Sequence, residues 1–169
     1  MGRMAWFKPG RLGGVQGGAA TAIYTAGQFA SADFDVVAGQ DEVFNAAMAE
    51  HGFVREDRVG HLLFGFYHSE HPGYGFQQVS GALFEGRADR GRLVRLAASA
   101  AGEIALPAIE DMIADRLAQH AAMEGKGSDD SRLVQARVLF SLARTIDRDY
   151  LLRRIMDEGG DPAVLDLGS

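Results

Sequence analysis

Asp33 and Asp35 stand two residues apart in the run Ser-Ala-Asp-Phe-Asp-Val-Val-Ala-Gly, residues 31–39. On a strand, the two-residue period puts both carboxylates on one face, with Cα atoms roughly 7 Å apart, and turns Phe34 to the other. Carboxylates so placed can share a pair of divalent cations about 3.5–4 Å apart, the arrangement that two-metal phosphoryl transfer employs. Oxygen donors of this kind suit Mg2+, which is held by a few carboxylates plus substrate phosphates. An exposed strand edge carrying two solvated acids fits the same spacing. Upstream lie Gly17 and Gly18, with fourteen residues between Gly18 and Asp33. Adjacent glycines before a helix let backbone N–H groups approach a phosphate closely, beside a helix start that favours anions. Taken alone, such a pair is equally a tight turn.

Other residues with chemical potential have weaker settings. His68 and His71 flank Glu70 in a Pro-Gly loop with no further nitrogen or sulfur ligand nearby, so a solvated loop is the simpler reading. Arg87, Arg90, Arg92 and Arg95 read either as a solvated turn and strand or as a phosphate-binding rim. Asp115 and Arg116 read as a surface ion pair or as a ligand contact, and His120 suits the C-terminal end of a helix. Ser69 and Ser80 lack the strand-to-helix elbow of a nucleophile.

Positioning these residues requires particular elements. Residues 1–18 are glycine-punctuated and read as loop, or as backbone pressed against something. Residues 19–27 read as a short helix stopped by Gly27, and Asp33–Val37 as a strand. Asp41 begins a helix with Val43, Phe44, Ala47 and Met48 on one face and Gly52 past its end. Residues 62–67 and 74–84 read as a β-hairpin joined by His-Ser-Glu-His-Pro-Gly, and Glu103–Leu106 as a strand ended by Pro107. The period then turns helical: 107–122 with Ile109, Met112, Ile113 and Leu117 as its apolar face, about 130–145, and 148–158. The last is capped by Asp147, buries Leu151, Leu152, Ile155 and Met156, and stops at Gly159–Gly160. The expected fold is α+β, a small mixed β-sheet flanked by helices with a C-terminal helical region. Residues 1–106 form the core, 107–160 pack on it as helices within a single domain, and 161–169 are a flexible tail.

Composition bounds the function. The chain has 169 residues, one domain's worth, and no cysteine, which excludes a disulfide scaffold, a thiolate metal site and a cysteine nucleophile. The formal charge of −6 argues against a broad nucleic-acid-binding face. No apolar run approaches the roughly 20 residues that span a bilayer, and the N-terminus lacks the compact apolar stretch of a secretory signal. The expected location is the cytoplasm, with no membrane partner.

The stretch Gly-Gly-Ala-Ala-Thr-Ala-Ile-Tyr-Thr-Ala-Gly-Gln-Phe-Ala-Ser-Ala-Asp-Phe-Asp, residues 17–35, resembles the motif of the nucleotidyltransferase superfamily of DNA polymerase beta type: a glycine pair, a short helix, then Asp-x-Asp on the next strand. Leu106–His120 (LPAIEDMIADRLAQH) and residues 145–160 (TIDRDYLLRRIMDEGG) are similar to the helices of its minimal, AbiEii-like toxin branch. The resemblance implies transfer of a nucleoside monophosphate from an NTP, with Mg2+ in a two-metal site, onto an RNA, protein or small-molecule acceptor, in a toxin–antitoxin setting. It implies that Asp33 and Asp35 are the metal-binding, catalytic pair, and that Gly17, Gly18, Ser31 and Arg116 contact the nucleotide.

Two features depart from the motif. The family carries a third carboxylate on a later strand, where this chain offers Gln77 and Gln78, with Glu85 and Asp89 beyond as acids that could compensate. An amide can neither act as base nor neutralise a cation. The segment leading into the glycines, Arg-Leu-Gly-Gly-Val-Gln, is also short and glycine-rich for a central strand. The reading is therefore a Mg2+-dependent nucleotidyltransferase, with a catalytically silent nucleotidyltransferase-fold binding module as the alternative.

Overall fold

Phe34 and Val36 alternate with Asp33 and Asp35 along β2 (Asp33–Val37). The apolar pair is half-buried on the dry side, where Val36 packs against the Phe44 cluster, and Val37, on the side of the acids, is the strand's one fully buried residue. The computed structural model describes residues 14–59, 65–99, 102–123 and 130–165, which fall into two units. The first holds residues 14–20 and Ala30–Pro107, the second Thr21–Phe29 and residues 108–165. Among the described residues no helix is long and apolar enough to cross a membrane.

The first unit is built on a five-stranded mixed sheet. Its strands are β1 (Gly14–Gln16), β2, β3 (Phe53–Arg55), β4 (Phe66–His68) and β5 (His71–Ser80), in the order β1-β2-β5-β4-β3. β2 runs parallel to β5, and the other pairs are antiparallel. The segment read as loop before Gly17 thus supplies a short antiparallel strand at the sheet edge. There its glycine content is tolerable, because only one side needs partners. The hairpin is tighter than expected. His68 and His71 are register partners across Ser69–Glu70, and β5 ends at Ser80, with Leu83–Gly86 in a 3-10 turn. The part of the expected strand at 62–64 lies outside the described residues, as do residues 1–13 and 166–169.

Helix α2 (Asp41–Glu50) covers the dry side. Phe44 and Met48, one turn apart, pack with Phe66 and with Val36, Ala38, Phe53 and Phe76. Val43, expected on that face, is exposed. Gly52 takes φ +80°, the left-handed residue that ends the helix. A second, two-stranded sheet follows, β6 (Val94–Ser99) against β7 (Gly102–Leu106).

Helix α1 (Gly17–Tyr24) begins in the first unit and ends in the second. It is one turn shorter than expected at its C-terminus, where Gly27 (φ +85°) donates its N–H to Ala22 O. The second unit is otherwise helical: α3 (Ile109–Met123), α4 (Ser131–Leu142) and α5 (Arg148–Glu158), with α3 packed against α4 and α5. Asp147 caps α5 by accepting from Tyr150 N, and Gly159 (φ +80°) closes it. Met112, Ile113 and Leu117 of α3 are buried as expected, together with Leu139, Leu151 and Ile155. Two features differ. Met156 is 71% exposed, and Arg154 on the same helix is 1% exposed, because its guanidinium reaches Asp111. Beyond Gly160 the chain turns through Pro162–Val164, and Leu165 is buried, with Arg137 donating to Val164 O.

Candidate functional site

Register partners in neighbouring strands carry their side chains on the same face of a sheet. Asp35 is the partner of Gln16 on β1 and of Gln77 on β5; Asp33 is the partner of Gly75 on β5, which is in turn the partner of Tyr67 on β4. Two rows therefore cross the side of the sheet opposite the Phe44–Met48–Phe66 core: Gln16, Asp35, Gln77, and Asp33, Gly75, Tyr67. Phe34 and Phe76, between them in sequence, stack on the core side with ring centroids 4.8 Å apart. The two carboxylates share a face, as their spacing requires.

The glycine pair meets them there. Gly17 adopts φ +68°, and a Cβ added to it would lie 2.6 Å from Asp35 Oδ2. A Cβ on Gly18 would lie 2.9 Å from Ser31 Oγ, and that hydroxyl donates to Asp33 O at 2.9 Å. Gly17, Gly18, Ser31, Asp33 and Asp35 are thus brought together where α1 starts beside β2. The two glycines differ in what they require. Gly17→Ala combines a left-handed backbone, worth about 1–2 kcal/mol against an L-residue, with a contact that displaces Asp35. Gly18→Ala pushes on the Ser31 side chain, whose hydroxyl must give up its bond to Asp33 O to turn away, a loss that a gain in helix propensity of roughly 0.5–1 kcal/mol offsets. Urea unfolding should show Gly17→Ala clearly destabilised and Gly18→Ala near wild type; equal losses would mean that the left-handed turn is not what selects glycine at 17.

The two glutamines part company. Gln77 Nε2 donates to Asp35 Oδ1 at 2.7 Å. Gln78 points the other way, donating to Ala38 O at 2.8 Å and Asp41 Oδ1 at 2.6 Å. The position facing Asp35 is therefore an amide offering an N–H. Glu85 and Asp89 do not join the pair: among the described residues no three His, Asp or Glu side chains converge as a cation-holding group. The Glu85 carboxylate is exposed and paired with Arg87 at 3.1 Å, while Asp89 accepts from Gly91 N at 2.8 Å and pairs with Arg92. Glu85 and Phe84 take left-handed φ of 57° and 45°, a turn tied to the sheet by Phe84 N donating to Gln16 Oε1 at 3.2 Å. The donor set therefore fits a single Mg2+ on Asp33 and Asp35, completed by ligand oxygens, rather than two metals in a ring of carboxylates.

The remaining candidates have partners of their own. Arg116 is buried, 2% exposed, in the helical unit, where it donates to Asp115 and to Gln135 Oε1 at 3.4 Å. Of its two readings, surface ion pair or nucleotide contact, the burial removes the surface one. Arg87, Arg92 and Arg95 are each paired with an acid of their own segment or strand pair, the last with Glu103 at 3.5 Å. His68 Nδ1 accepts from Glu70 N, and its ring lies 5.8 Å from that of His71. Gln16, Gly75 and Tyr67 share the carboxylate face and carried no sequence signal, since only strand pairing aligns them with the acids.

No protein-family model matches the chain, and no curated protein matches it. Its structure is similar to one described as the crystal structure of an antigenic nucleotidyltransferase-like protein from Paracoccidioides brasiliensis, with a TM-score of 0.58 and 12% sequence identity over 87% of this chain and 78% of that one. The likeness is one of fold, a nucleotidyltransferase-like α+β fold.

Proposed function

We propose that this chain binds a Mg2+–nucleoside triphosphate on the Asp33/Asp35 face and serves as a nucleotide-binding module without nucleotidyl transfer. The hydrogen bond from Gln77 Nε2 to Asp35 Oδ1 carries the reading. Deprotonating an acceptor hydroxyl and holding a second cation both call for a carboxylate, and an amide supplies neither function. What remains suits binding. Asp33 and Asp35 would hold Mg2+, which supplies charge neutralisation for the phosphates. The left-handed Gly17 and the absence of a side chain at Gly18 bring the start of α1 close to the same point, where backbone N–H groups favour an anion. Ser31 braces the Asp33 backbone through its carbonyl.

A second reading keeps the enzyme: transfer of a nucleoside monophosphate to an RNA, protein or small-molecule acceptor, in the toxin–antitoxin setting that the helix resemblance suggests. The Asp33–Asp35 pair on one face favours it. Calorimetric titration with Mg2+–NTP tests the first reading. Wild type is expected to bind, and Asp35→Ala and omission of Mg2+ each to weaken binding at least about tenfold, the worth of roughly 1.4 kcal/mol of lost metal contact. A wild type that ignores nucleotides sinks both readings; transfer of label from α-labelled NTP to any acceptor sinks the first alone.

A further inference from the structure

The carboxylate face continues beyond Asp33. In the row Asp33, Gly75, Tyr67 the middle position has no side chain, and a Cβ there would lie 3.0 Å from Asp33 Oδ1. Two strand spacings of about 4.8 Å place the Tyr67 backbone roughly 10 Å from that of Asp33, and the Asp33 carboxylate leans over Gly75 between them. Beyond Gly75 the Arg58 guanidinium lies over the Tyr67 ring, 3.9 Å from its centroid. Its plane is set by three in-plane attachments. Nε and Nη2 donate to the Glu56 carboxylate at 2.8 and 2.5 Å, and Nη1 donates to Pro72 O at 2.5 Å. The Glu56 side chain is 6% exposed, that of Arg58 25%. A guanidinium with its edge committed to protein oxygens is poorly placed to grip a phosphate. It keeps a flat face for stacking, with Tyr67 against one side.

We propose that Arg58 and Tyr67 form a stacking platform for the base of the nucleoside triphosphate held at Asp33 and Asp35, with the ribose spanning the row between them. The proposal rests on the nucleotide-binding reading above. Planar bases stack on guanidinium and aromatic faces, and the span from Asp33 to Tyr67 is that of a nucleoside with its phosphate. All the residues involved lie in the first unit.

Calorimetry with three ligands tests it: Mg2+–ATP, Mg2+–tripolyphosphate, which has the phosphates without base or ribose, and a short single-stranded RNA without a triphosphate. Wild type should bind ATP more tightly than tripolyphosphate by about 5- to 150-fold, the range that one stacked base contributes. Tyr67→Leu, and Arg58→Lys, which keeps the charge and loses the plane, should each erase most of that advantage and leave tripolyphosphate affinity unchanged. Asp35→Ala should weaken both ligands together. Circular dichroism identifies either platform variant that fails to fold, and the other then carries the comparison. The proposal is overturned if wild type binds ATP no better than tripolyphosphate, or if the variants weaken both ligands equally, since Arg58 would then act as a charge. It is also overturned if the loss is confined to RNA, which would assign the base to an acceptor. Wild type binding none of the three ligands would be a failure of the nucleotide reading itself.

Discussion

Arg154→Ala is expected to destabilise the helical unit by about 3–5 kcal/mol, the range for removing one partner of a buried ion pair. Arg154 and Asp111 are 1% and 0% exposed, on α5 and α3. Arg154 Nε donates to Asp111 Oδ1 at 2.6 Å and Nη2 to Glu158 Oε1 at 2.6 Å, and Tyr150 OH donates to both Asp111 oxygens at 2.9 and 3.1 Å. Burial pushes the Asp111 carboxyl above the usual carboxylate range, against the opposing pull of the hydrogen bonds from Arg154 and Tyr150. The Arg154 guanidinium is raised by those same acids against the opposing effect of burial. Deleting Arg154 leaves Asp111 as an uncompensated buried acid, which accounts for the size of the loss. Replacing both members by apolar residues of similar volume, Asp111→Leu with Arg154→Met, should recover part of it: the Asp111 charge leaves with its partner, while Glu158 and Tyr150 still lose the hydrogen bonds made to the pair. Urea unfolding of the two single variants and the double variant makes the comparison. A loss below about 1 kcal/mol for Arg154→Ala, the range of an exposed pair, would mean that this pair does not hold α3 against α5.

Gln77→Asp is expected to raise Mg2+ affinity at least about tenfold, and Gln78→Asp to leave it unchanged. A third carboxylate within about 4 Å of a cation contributes several kcal/mol even at the screened dielectric of a protein surface, so a tenfold gain is the lower end. The contrast rests on the two side chains' partners, Asp35 on the carboxylate face for Gln77 and Ala38 with Asp41 on the other for Gln78. The variant also brings three acids together, and without Mg2+ their repulsion should lower the melting temperature, a deficit that added Mg2+ reverses. Mg2+ titrations followed by thermal melts measure both effects. Should Gln78→Asp give the gain instead, the register of β5 against β2 would be wrong. Should neither, the single-metal reading of Asp33 and Asp35 fails.

Much of this protein was legible locally. Asp33 and Asp35 share a face because a strand repeats every two residues, and Phe34 faces the core for the same reason. Asp147 and Gly159 bound α5 by cap chemistry that acts within a few residues, and the helical period after Pro107 marks α3 before any packing is known. Where the reading failed, long-range pairing was the cause. The apolarity of Met156 points it to the core, yet Arg154 is the buried residue, because Asp111, 43 residues earlier in the chain, offers a carboxylate that no helical period reveals. Gln77 rather than Gln78 faces Asp35 across 42 residues, a choice made by strand register, in which a slip of one residue exchanges the two sides. Tyr67 and Gly75 came beside Asp33 in the same way, and Arg58 through its seat on Tyr67. Which residues alternate, cap and turn follows from local order along the chain, since those preferences act over a few bonds. The tertiary structure alone decided which distant side chains stand beside the acids, since that depends on strand order and register set by the whole core.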